Sequence, residues 1–89
     1  MPPFEWDPDK AEVNFAKHRV TFAEAATAFA DPRHRLLADP DHSIDEERWL
    51  LLGLSAQGRL LVVAHTERRD RIRLISARVA TGRERGVYA

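Results

Sequence analysis

The chain contains no cysteine, which excludes disulfides, thiolate metal sites and a cysteine nucleophile. That absence suits a reducing compartment, and a cytoplasmic location is expected. No apolar run is longer than Leu60–Ala64, far short of the roughly 20 residues needed to cross a bilayer, so no membrane partner is expected. The segment Met1–Asp7 has neither a basic n-region nor an apolar h-region, so no secretory signal is expected. Internal repeats, low-complexity tracts and linkers are also missing. So are a phosphate-binding P-loop, a GxGxxG dinucleotide fingerprint, a zinc HExxH pair and a GxSxG nucleophile elbow. Lysine is absent from residue 48 onward.

What is present is a charge split hidden by a formal net charge of zero. Residues 1–47 carry eleven acidic against five basic side chains, whereas residues 48–89 carry nine arginines against three acids. Six of those arginines fall between Arg68 and Arg83. Arginine is planar, always charged, and binds two phosphate oxygens at once through its fork of donors. An asymmetry of this kind points to a nucleic-acid partner or to pairing between acidic and basic protein surfaces.

Eighty-nine residues with 44% hydrophobic content are expected to form one domain over residues 1–89, burying roughly 60–70% of the unfolded surface. Phe4-Glu5-Trp6 alternates as a short strand does. Asp7-Pro8 reads as N-cap and first helical residue, followed by an inward stripe of Ala11, Asn14, Phe15 and His18. Thr21 and Glu24 predict a capping box for a second helix, with Phe22, Ala25, Ala26 and Phe29 facing a sheet; Asp31-Pro32 ends it. Arg35–Ala38 is an expected strand, and residues 39–47 an acidic loop. Arg48–Ser55, Arg59–Glu67 and Arg71–Arg78 then read as an antiparallel meander. Its central strand carries the unalternating run Leu60–Ala64, as a strand covered on both faces should. Thr81 and Glu84 form a second capping box, starting a short helix that ends near Tyr88. The fold class is therefore α+β: two N-terminal helices on an antiparallel sheet, with a short C-terminal helix.

Four constellations carry possible chemistry. Strand alternation places Arg71 and Arg73 side by side, and Ile72, Leu74, Ser76 and Arg78 on the other face. Two arginines alone would be edge charges that block aggregation; with Arg68, Arg69, Arg83 and Arg85 near in sequence, a phosphate-binding surface is the favoured reading. His65 ends the central strand, with Glu67 on its face, Arg68 beside it and Arg73 expected close on the partner strand. A lone histidine there is more often structural, but imidazole, carboxylate and guanidinium together can cleave a phosphodiester without metal. Asp39-x-Asp41-His42 with Asp45-Glu46-Glu47 lacks calcium-loop and zinc spacing and is read as a polar turn, so no metal or other cofactor is expected. Lys17-His18 ends the first helix, where a cationic residue suits the helix dipole.

Several stretches, in order, carry a resemblance to a known family: Phe4-Glu5-Trp6-Asp7, Asn14 with Lys17-His18, Val20-x-Phe22-x-Glu24-Ala25, Asp31-Pro32, Asp39-x-Asp41-His42-Ser43, Glu47-Arg48, His65-Thr66-Glu67-Arg68, Arg71-Ile72-Arg73, Ile75-Ser76-Ala77-Arg78 and Glu84-Arg85-x-x-Tyr88. Over essentially its whole length the chain resembles the BrnT toxins of bacterial type II toxin–antitoxin modules. The resemblance implies a RelE-like fold and an RNA-cutting, growth-arresting ribonuclease that works without metal. It also implies a BrnA-type antitoxin as partner, with operator DNA reached only through the antitoxin complex. Two positions depart from the family pattern. Arg19 stands where a helix-ending glycine is usual, and Gly82, Gly86 and Val87 make the last helix less basic.

Combining residues and resemblance, His65, Glu67, Arg73 and Arg78 are the expected catalytic residues. Arg73 and Arg78 would bind the scissile phosphate, His65 would move the proton and Glu67 would assist it. Arg48, Arg68 and Arg71 are expected to hold the flanking RNA. The alternative is a non-enzymatic module whose basic face binds a protein partner or nucleic acid without cleavage.

Overall fold

A computed structural model describes residues 3–39 and 47–89. The elements follow as β1 (Phe4–Glu5), α1 (Pro8–His18), α2 (Phe22–Thr27) running into a 3-10 turn at Ala28–Ala30, β2 (Arg35–Ala38), β3 (Trp49–Leu54), β4 (Leu60–Arg68), β5 (Arg71–Val79) and α3 (Gly82–Tyr88). The predicted order of elements is thus observed. The expected acidic loop lies mostly outside the described residues, as do Asp41, His42, Asp45 and Glu46 of the polar-turn motif. Among the described residues no helix is long and apolar enough to cross a membrane.

Local chemistry sets the helix ends. The Asp7 carboxylate accepts from the Asp9 N–H at 2.8 Å, with Pro8 in the first helical position. Thr21 accepts from the Glu24 N–H at 3.0 Å, but the second half of that expected capping box does not form. The Glu24 carboxylate turns inward instead, accepting from Ser55 Oγ at 2.8 Å and from the Arg59 guanidinium through both oxygens. A buried carboxylate must be paired and hydrogen-bonded, and here the pairing ties α2 to the β3–β4 connection. The Thr81–Glu84 capping box of α3 is complete. Phe15, expected inside, is 42% exposed and lies under the Arg19 guanidinium, 5.4 Å from ring centroid to charge.

The sheet runs β1-β5-β4-β3-β2. Three of its four pairings are antiparallel, as expected, whereas β1 lies parallel to β5 with Phe4 opposite Ile72 and Glu5 opposite Arg73. Helices α1 and α2 cover one face. There Val20, Phe22, Leu51, Leu61, Val63 and Leu74 form the main core, joined by Trp6 edge-on to Phe22. Gly53 lets the 3-10 turn approach the sheet: a Cβ there would sit 2.7 Å from the Ala28 carbonyl oxygen. A smaller cluster of Leu52, Leu60, Val62 and Ala80, with Leu50 and Tyr88 against it, lies on the opposite face, where α3 packs on β3. This explains why Leu60–Val63 is apolar without alternation: helices cover β4 on both sides.

One irregularity changes the strand faces. Ala64 pairs with Ser76 but His65 pairs with Leu74, so Ile75 is an extra residue in β5. Beyond this bulge Ala77, not Ser76 or Arg78, faces the main core. Asn14 of α1 meets it there. Its amide donates to Ala77 O at 2.9 Å and to Val20 O at 3.0 Å, and its oxygen accepts from Ala77 N at 3.0 Å. The side chain thus supplies the backbone groups that a neighbouring strand would supply.

Helix α1 ends on Arg19 with φ 58° and ψ 33°, its N–H bonded to Phe15 O at 2.8 Å. A side chain in this left-handed conformation costs about 1–2 kcal/mol relative to glycine. Losing the exposed contact to Phe15 offsets about 0.5 kcal/mol of that. Arg19→Gly is therefore expected to stabilise the fold by about 0.5–1.5 kcal/mol. Urea denaturation checks this: the midpoint should rise with an unchanged slope, and a lower midpoint contradicts it.

Candidate active face

The sheet face away from α1 and α2 divides into two regions. Toward the start of β4, α3 and its apolar cluster cover it. Toward the β4–β5 turn it carries the arginines. Cross-strand register puts Arg68 opposite Arg71, Thr66 opposite Arg73, Ala64 opposite Ser76 and Val62 opposite Arg78. Directly opposed residues of an antiparallel pair share a face, so the four β5 side chains Arg71, Arg73, Ser76 and Arg78 share this one. The expectation that Ser76 and Arg78 follow Ile72 and Leu74 is corrected by the Ile75 bulge, which shifts the alternation by one. The tight β4–β5 turn itself is made with Arg69 at φ 48°.

Each arginine is held differently. The Arg78 Nη1 and Nη2 atoms donate to Glu84 Oε1 and Oε2, both at 2.8 Å. Glu84 Oε1 also accepts from the Thr81 N–H. These bonds, the Arg78 pair foremost, hold the Glu84 carboxyl down at about 2 and raise the Arg78 pKa. Arg78 thus clamps α3 to the sheet. Arg73 Nη1 donates to Glu5 Oε2 at 3.1 Å, and Arg71 Nη1 lies 3.5 Å from Glu5 Oε1. Arg68 is exposed and Arg48 half-buried just before β3.

His65 is not part of this group. It is fully buried on the helix-covered face, its ring edge-on to Phe29 with centroids 4.8 Å apart. Arg73 pairs with Thr66 and so points to the opposite side of the sheet, correcting the expected closeness of Arg73 and His65. Glu67 pairs with Ile72 on the helix-covered face and is exposed. His65 Nδ1 contacts the Val63 carbonyl oxygen at 3.1 Å, so that nitrogen carries the proton and donates. Burial drives the His65 pKa below its ordinary value, against smaller opposing effects of the Val63 bond and Glu67. Its Nε2 and the Thr66 hydroxyl, at 0% and 4% residue exposure, are buried without hydrogen-bond partners.

Two further polar groups were not anticipated in their observed roles. Tyr88 donates from its hydroxyl to Asp31 Oδ2 at 2.6 Å, and Arg33 lies over its ring. Asp31 also accepts from the Leu54 and Arg33 N–H groups. These bonds, the Tyr88 one largest, lower the Asp31 pKa and raise that of Tyr88. Glu5 is the second: nothing in the local sequence signals that a parallel strand delivers it to Arg73. No cluster of three or more potential metal-ligating side chains occurs among the described residues.

The buried histidine makes stability pH-dependent. The folded state keeps His65 neutral, while the unfolded chain takes up a proton at the ordinary value of 6.5. Stability is therefore full above that value and falls as pH drops below it. Urea midpoints measured downward from pH 7.5 should decline for the native chain. In His65→Phe this decline should be absent until the carboxylates protonate, Glu84 between 4.5 and about 2.

Comparison with known proteins follows the same lines. Residues 6–84 match the family model of the ribonuclease toxin BrnT of type II toxin–antitoxin systems. The fold is similar to the 1.1 Å crystal structure of the Brucella abortus ribonuclease toxin BrnT, with a TM-score of 0.69 at 19% sequence identity. That likeness covers 91% of this chain and 99% of the Brucella chain. A search of curated protein sequences finds no significant match. The chain belongs to the BrnT family of type II ribonuclease toxins.

Proposed function

We propose that this protein is a metal-independent endoribonuclease toxin, active as the single domain 1–89 in the cytoplasm and neutralised by a BrnA-type antitoxin. The observation that carries this reading is the row Arg68, Arg71 and Arg73 toward the β4–β5 turn, on the sheet face away from α1 and α2. RNA phosphates carry one negative charge each, and a phosphodiester under attack gathers further charge on its oxygens. Fixed guanidinium groups supply the compensating charge without a metal ion. Arg71 and Arg73 hold the scissile phosphate, and Arg68 and Arg48 the flanking backbone.

Arg78 contributes chiefly by fixing α3 through Glu84. His65 serves the reaction only by packing the strand that carries Thr66 and Arg68, since its ring faces Phe29 across the sheet from the arginines. Operator DNA is reached through the antitoxin complex.

The test is cleavage of an unstructured RNA by purified, antitoxin-free protein in excess EDTA. Products ending in 2′,3′-cyclic phosphate are expected. Replacing Arg71 and Arg73 together by Ala should lower cleavage by about 100-fold or more, the scale of removing an oxyanion-stabilising donor. It should also flatten the log–log salt dependence of RNA binding by about 0.7 per lost phosphate contact. Binding without cleavage would favour a non-enzymatic docking module.

A further inference from the structure

Among the described residues, Glu5 is a carboxylate on the arginine face whose chemistry has no role so far. Glu5 reaches it from β1, whose parallel pairing sets Glu5 beside Arg73. Its two oxygens each meet one arginine, at 3.1 Å for Arg73 and at the long limit of 3.5 Å for Arg71. Its side chain is 26% exposed, so solvent and substrate can reach it.

Several carboxylates can be compared. Glu84 accepts both Arg78 nitrogens and the Thr81 N–H. Asp31 is occupied by Tyr88, Leu54 and Arg33. Glu67 lies on the opposite face of the sheet. Glu5 differs from all three. A carboxylate oxygen offers two lone pairs, and each Glu5 oxygen spends one at most on its arginine, leaving acceptor capacity unused. The neighbouring guanidinium groups offer donors only and cannot take a proton. They can, however, serve two partners: Arg73 uses Nη1 for Glu5 and keeps the rest of its fork for a phosphate.

We propose that Glu5 is the general base of RNA cleavage, an assignment that rests on the ribonuclease reading above. The carboxylate takes the proton of the ribose 2′-hydroxyl. The O2′ atom forms a bond to phosphorus, and the bond from phosphorus to O5′ breaks. O5′ takes a proton from water, and Glu5 returns its own to solvent. The products are a 2′,3′-cyclic phosphate and a 5′-hydroxyl, with no oxidation or reduction. Arg73 and Arg71 both aim the carboxylate and hold the phosphate whose neighbouring hydroxyl it deprotonates. A carboxylate in hydrogen-bond reach of that hydroxyl also makes the site selective for RNA, because a deoxyribose offers no proton there.

The experiment measures single-turnover cleavage of an RNA oligomer in EDTA alongside binding of a fully 2′-O-methyl RNA, which lacks the attacking hydroxyl. Glu5→Gln should slow cleavage by about 100-fold or more while binding the methylated probe at least as tightly as the native protein. Glu5→Ala should be equally slow and should regain activity on addition of formate, which a merely structural role would not permit. Thermal melts of each variant show whether β1 remains docked. The proposal is overturned if Glu5→Gln cleaves within about threefold of the native rate. It is also overturned if activity falls only in step with early melting and formate restores nothing. Failure of the native protein itself to cleave RNA removes the ribonuclease reading and the base with it, a result distinct from an active native enzyme with an active Glu5→Gln.

Discussion

The extra residue in β5 and the asparagine that secures it are what the remaining architecture depends on. Ile75 interrupts the ladder between Leu74 and Ser76, and Ala77 turns both of its backbone groups to the Asn14 amide. Buried backbone groups must find partners, and a side-chain amide that carries both a donor and an acceptor can stand in for a missing strand. The same shift lets two incompatible demands share one strand. Ile72, Leu74 and Ala77 fill the core under α1 and α2, while Arg71, Arg73, Ser76 and Arg78 all reach the other face. Unbroken alternation would have pointed Arg78 at the helices, where an unpaired guanidinium is costly.

Folding brings part of the charge of the two halves of the chain together. Glu5 and Glu24 of the acidic half meet Arg71, Arg73 and Arg59 of the basic half. These pairs have different consequences. Glu24 is buried and accepts three hydrogen bonds from Ser55 and Arg59, so it fixes the packing of α2. Glu5 is partly exposed and only lightly held, and exposed pairs of that kind contribute little to stability. A carboxylate kept beside arginines at small structural benefit is therefore better understood through what the site does.

On the two faces of β4, polar groups have separate functions. His65 spends its hydrophobic bulk against Phe29 and its Nδ1 proton on Val63, one residue before Thr66, which is buried on the face that carries Arg73. A histidine beside a carboxylate and arginines in sequence suggests proton-transfer chemistry, yet period-two alternation and the bulge send the ring and the Arg73 guanidinium to opposite sides. The carboxylate near Arg73 is not the one two residues along the same strand but one from the other end of the chain.

The sequence by itself determined the elements and their order, the caps at Asp7, Thr21 and Thr81, the twice-covered central strand and the family. Each of these is written in neighbouring residues, through periodicity, capping geometry or a run of motifs in order. Only the tertiary structure decided that β1 pairs in parallel, that Ile75 shifts the faces, and that Phe15 stays half outside. It likewise decided that Glu24 leaves its capping box for Arg59, and that Glu5 lies against an arginine 68 residues away. Those outcomes depend on register and on competition between distant partners for buried polar groups. A one-residue shift in register reverses every side chain beyond it, and no local pattern announces where that shift will fall.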